Sequence, residues 1–108
     1  MELVVDVYQL TKKLPKFETY GLGDQLRRAV ISIPSNIAEG QGRNSYGDFI
    51  RFINISLGSM SEVETQLLLI DKLYGLGVED MLGKVNKITR MLFKLKFDLK
   101  RRATNSEQ

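Results

Sequence analysis

The 108-residue chain contains no cysteine, no histidine and no tryptophan, and only two prolines. Without Cys there is no disulfide and no thiolate, and without His there is no imidazole base or ligand. These absences exclude thiolate and imidazole metal sites, Cys nucleophiles and Ser-His-Asp triads, and with them most catalytic chemistry. An all-carboxylate magnesium or calcium site stays open on composition, but no segment has the pattern of a calcium loop or of a glycine-rich phosphate loop. No apolar run approaches the ~20 residues needed to span a bilayer, and the opening stretch is not built like a secretion signal. These features predict a cytoplasmic, non-enzymatic protein with no cofactor, no metal and no membrane contact.

What is present is enough for one compact domain. Hydrophobic residues make up 43% of the chain, so a chain of this length can bury a real core. Glycine and proline at Pro15, Gly21, Gly23, Gly40, Gly42, Gly75 and Gly77 divide it into four apolar-periodic segments. Leu3, Val7, Leu10 and Leu14 form the seam of the first, which Pro15 should stop. Leu26, Val30, Ile33 and Ile37 repeat the rhythm in the second, up to Gly40. The third keeps it from Tyr46 through Phe49, Ile53, Ser56, Met60, Val63, Leu67 and Ile70 to Tyr74, about 45 Å at 1.5 Å per residue. Leu82, Val85, Ile88, Leu92, Leu95 and Leu99 mark the fourth. Short links force neighbouring helices to run in opposite directions, so the prediction is an all-α, antiparallel up-down-up-down four-helix bundle over residues 1–103. A polar tail, 104–108, should fray.

Local signals support these limits. Ser45 opens a capping box with Asp48, and Glu79 and Asp80 place negative charge at the start of helix four. Arg101 and Arg102 complement its far end. Pro34 lies inside the second helix, where it removes a backbone donor and clashes with the carbonyl of Val30, so a kink or break is expected. Beside that helix's seam runs a polar stripe of Arg28, Ser32, Ser35, Asn36 and Glu39. It reads either as groups satisfying one another around the kink, with Ser32 and Asn36 on the freed carbonyls and Glu39 on an arginine, or as a surface for a ligand or partner.

Charge is uneven along the chain. Residues 1–89 carry 10 basic and 11 acidic side chains, whereas Arg90, Lys94, Lys96, Lys100, Arg101 and Arg102 are opposed in their segment by Asp98 alone. Such a cluster can bind nucleic-acid phosphates, or it can be a solvated face that complements the helix dipole. Arg43, in the loop Gly40-Gln-Gly-Arg-Asn, is a further candidate for phosphate, beside the amides that open helix three. The plainer reading of that loop is a C-cap with Gly40 in the left-handed conformation. Met91, Phe93 and Phe97 exceed what one helical seam can bury, as do Ile50, Ile55, Leu57, Leu68 and Leu69. The excess points to contacts between subunits, with Met91, Phe93 and Phe97 as the candidate interface.

Several segments together resemble a known family. They are Tyr20-Gly-Leu, Gln25-Leu-Arg-Arg-Ala, Ser32-Ile-Pro-Ser-Asn-Ile-Ala-Glu-Gly, Gly42-Arg, Phe49-Ile-Arg-Phe, Ser56-Leu-Gly-Ser and Glu62-Val-Glu-Thr-Gln-Leu. The chain resembles the bacterial four-helix-bundle proteins encoded in 23S rRNA intervening sequences. That family is similar to the accessory variability determinant of diversity-generating retroelements, a basic pentameric barrel that binds nucleic acid and a reverse transcriptase. The resemblance implies a homopentamer, with RNA or DNA, or a nucleic-acid-processing protein, as partner. Five copies at +3 each would carry +15. In relatives the first helix is longer, which implies that here part of helix three's upper seam is left uncovered. The alternative is a structural or protein-interaction module that binds no nucleic acid.

Overall fold

The computed structural model describes residues 1–106, and among them there are four α-helices and no strand. Helix α1 spans Glu2–Thr11, α2 Leu22–Gln41, α3 Tyr46–Tyr74 and α4 Glu79–Ser106, with a single 3₁₀ turn at Lys16–Glu18 before α2. Each helix packs on the next in chain order, and α4 closes the ring against α1, while the diagonal pairs make no close backbone approach. That is the up-down-up-down bundle the segment lengths predict. It is an elongated body, 55 × 22 × 18 Å, because α3 and α4 are nearly three times as long as α1.

The predicted seams form the core. Leu3, Val7, Leu10 and Leu14 are buried from α1 and its exit, and Leu26, Val30 and Ile33 from α2. Ile53, Ser56, Met60, Val63, Leu67 and Ile70 are buried along α3, and Val85, Leu92 and Leu99 along α4. Side chains three and four apart share a helix face, so one stripe per helix reaches the axis. Phe52, Ala29 and Met81 join them because globular helices bury a wider arc than a single seam, and Val78 is buried from the link just before α4. Tyr46, the first residue of the predicted α3 seam, is exposed, because it sits in the opening turn at the end of the bundle.

Several boundaries differ from expectation. Helix α1 ends at Thr11 rather than running to Pro15; Leu14 still reaches the core from the turn that follows. Of the kink or break expected at Pro34, the break does not occur, since helix α2 runs through it. Gly40 is helical, not left-handed: α2 continues to Gln41, its cap is Gly42, and Gly75 after α3 is the glycine with positive φ, at 65°. Gly40 serves close approach instead, because a Cβ built there would lie 2.7 Å from Phe49 Cδ1 and 3.0 Å from Phe52 Cβ. Helix α4 runs to Ser106, so residues 104–106 of the expected tail are helical; Glu107 and Gln108 lie outside the described residues. The upper seam of α3 is not left bare either. Ile53 and Ser56 are fully buried there, because α2 and α4 are the helices that lie against α3.

Polar contacts fix the packing. The Ser45 hydroxyl accepts from the amide of Asp48 at 3.1 Å, as the capping box predicts. The Tyr74 hydroxyl donates to Glu18, tying the end of α3 to the turn before α2, and this bond, with burial, pushes the Tyr74 pKa up. Lys84 of α4 donates to Asp6 and lies 3.6 Å from Glu2, which fastens α1 antiparallel to α4 and raises the Lys84 pKa.

Candidate nucleic-acid interface

Basic residues of α4 lie on the face turned away from its buried seam of Val85, Leu92 and Leu99. Arg90, Lys94 and Arg101 recur at spacings of four and seven, and Lys87 stands three before Arg90, so the four line a single outward ridge. All four are exposed. Lys87 lies outside the basic cluster predicted from Arg90 onward, but the same spacing extended backwards reaches it. Lys96 and Lys100 lie to one side of the ridge, toward α3, in a shallow pocket that they form with Phe93 and Phe97. Arg102 turns to the other side.

Most of these cations are unneutralised. Arg101 approaches Asp98 at 3.9 Å, while Lys87, Arg90, Lys94, Lys96, Lys100 and Arg102 make no ion pair among the described residues. Nor does the helix dipole account for Arg101 and Arg102. The helix extends to Ser106 and its last turn contains no basic residue, whereas the dipole acts mainly within that turn. The expectation that the pair complements the helix end is corrected accordingly.

The candidate interface residues divide. Phe93 and Phe97 are 54% and 66% exposed on the α3 side, with the Lys96 ammonium 6.0 Å from the centre of the Phe93 ring. Met91 is 61% exposed but lies about 160° around the helix from Phe93, at 100° per residue. One flat partner surface does not take all three.

Arg43 stands apart from the α4 cations. Its guanidinium bonds Glu39 at 2.7 Å and lies 4.9 Å from the centre of the Phe52 ring. Arg51 lies 4.6 Å from the same ring, so two guanidiniums stack on one largely buried aromatic. Both belong to the α2–α3 edge, whose helices are the ones that Gly40 lets approach.

The polar stripe of α2 is largely satisfied within the chain. Arg28 pairs with Asp24 at 3.0 Å, and Glu39 with Arg43. Ser32 donates to the carbonyl of Ala29 at 3.1 Å and shares a hydrogen bond with Ser59 of α3. Asn36 donates to the carbonyl of Ser32 at 2.7 Å. These carbonyls lie on either side of the Val30 carbonyl, which Pro34 leaves without its usual donor. Ser56 donates across from α3 to the Ile33 carbonyl at 3.0 Å. Ser35 is exposed. Next to the stripe, Gln25, Arg28, Ser32, Ser59, Glu62 and Gln66 line a groove of about 340 Å³ between α2 and α3. The carboxamide oxygen of Gln66 is buried there without a hydrogen-bond partner. Among the described residues no three carboxylates cluster as metal ligands, and no helix is long and apolar enough to cross a membrane.

Fold and surface together define an all-α bundle with one strongly basic helix and paired exposed aromatics beside it. Residues 1–94 match the family described as 23S rRNA-intervening sequence protein, and the chain belongs to that family. The match covers the groove and most of the basic ridge, and ends at Lys94. No curated protein is a significant match to the chain.

Proposed function

We propose that the protein is a non-enzymatic, cytoplasmic homo-oligomer, in line with the pentamer that the resemblance implies, whose α4 ridges bind nucleic acid or assist a protein that processes it. The observation that carries this reading is the ridge of Lys87, Arg90, Lys94 and Arg101, exposed and almost without internal counter-ions. Phosphates release condensed counter-ions when such a ridge binds them, so affinity falls as salt rises. Arg102 extends the charge on the side of the ridge away from Phe93 and Phe97. Arg43 is left out, since its guanidinium is already held by Glu39 and Phe52.

Titration of labelled single-stranded RNA and duplex DNA across a salt series tests the reading. Replacing Arg90, Lys94 and Arg101 by Ala should flatten the slope of log K against log salt for single strands by about 2, near 0.7 per lost contact. Salt-independent or absent binding refutes it. That result would favour a protein-interaction module instead, a reading that the exposed Phe93 and Phe97 support independently.

A further inference from the structure

We propose that the α2/α3 face of one copy receives the flank of α4 that carries Phe93, Lys96, Phe97 and Lys100 from a second copy. This rests on the homo-oligomeric reading above and assigns the contact within it. Along α3, Ile55, Glu62, Gln66, Leu69 and Leu73 follow spacings of seven, four, three and four, which puts them on one stripe beside α2. Ile55, Leu69 and Leu73 are exposed apolar residues. Glu62 is exposed and makes no ion pair among the described residues, and the Gln66 carboxamide oxygen is buried with no donor. The stripe is therefore apolar with one exposed carboxylate, Glu62, that lacks a counter-ion among the described residues.

The α4 flank is its complement. Two exposed phenylalanines one turn apart are bracketed by ammonium groups with no counter-ion among the described residues. Apolar area meets apolar area, and the unpaired ammonium groups meet the unpaired Glu62 carboxylate, which is how charge complementarity sets the register of a contact. One copy cannot make this contact with itself, because α3 stands between the two stripes and α2 and α4 are not neighbours in the ring. The two stripes lie on adjacent faces of a four-cornered bundle, about a right angle apart. Such a contact is head-to-tail, joining two different faces of identical copies.

Light scattering and sedimentation across a dilution series, on the full chain, test the contact. Glu62→Lys should raise the concentration needed for assembly at least about tenfold, since it sets like charges together. The Lys96→Glu/Lys100→Glu variant should do the same, and combining it with Glu62→Lys should restore assembly. Circular dichroism confirms helicity in each case; if Glu62→Lys fails to fold, the double lysine variant alone decides. An unchanged mass for the charge-reversed chains overturns this contact but leaves the oligomer standing, as it would if Lys96 and Lys100 serve RNA only. A wild-type monomer at every concentration overturns both.

Discussion

Replacing Gly40 by Ala isolates the packing that brings α2 against α3. In an exposed helix interior the change from Gly to Ala stabilises by about 1 kcal/mol, because Ala orders the chain at less entropic cost. At Gly40 the new methyl would meet Phe49 Cδ1 at 2.7 Å and Phe52 Cβ at 3.0 Å. The Phe49 ring can rotate away, but Phe52 Cβ is attached to the α3 backbone, so the helices must separate. Overpacking of this kind costs about 1–3 kcal/mol. The rigid contact puts Gly40→Ala toward the upper end, a net loss of about 1–2 kcal/mol after the propensity gain. Gly58→Ala is the control: Gly58 lies in the interior of α3 with nothing within 4 Å of its built Cβ, so the same chemical change should gain about 1 kcal/mol. The two variants should differ by about 2–3 kcal/mol, or roughly 10 °C in Tm for a domain this size. Thermal melts by circular dichroism at one matched protein concentration measure this. A Gly40→Ala chain that melts at or above wild type would refute the claim that Gly40 sets the α2–α3 distance.

Two other consequences follow from the polar contacts. Lys84 and Tyr74 both hold their protons more tightly in the fold than in the unfolded chain, Lys84 through Asp6 and Tyr74 through its bond to Glu18. Their stabilisation is thus complete at neutral pH and is lost as pH rises through the raised folded values, above the ordinary lysine and tyrosine ranges. Urea midpoints taken from pH 8 upward should fall on the alkaline side, and less steeply in Lys84→Met and Tyr74→Phe; equal slopes in all three would exclude both groups. Ser56→Ala removes the buried donor to the Ile33 carbonyl beside Pro34 and should cost about 1 kcal/mol in urea unfolding. No loss would mean that the carbonyl does not depend on Ser56.

The four helices could be read from the chain because helical periodicity is local. A residue's place on a helix face follows from the residues three and four away, so the seams through Val30, Val63 and Val85 are visible without any partner. The Ser45 cap and the acidic opening of α4 at Glu79 and Asp80 are equally local. The basic segment from Arg90 was visible as composition, and three-four spacing extends it to Lys87.

The tertiary structure alone decided how the faces are shared out. Gly40 looked like a turn glycine until α3 was placed over it, and Phe52 between Arg43 and Arg51 depends on two helices meeting. Met91, Phe93 and Phe97 looked like one apolar group, but which arc of α4 each occupies relative to α1 and α3 follows from the order of helices around the ring. The buried, unpartnered Gln66 oxygen lies in a groove that α2 and α3 form together, lined also by Ser32 and Ser59. Each of these contacts joins residues many turns apart in the chain. Their geometry depends on how whole helices are placed against one another, and no short window of sequence contains that.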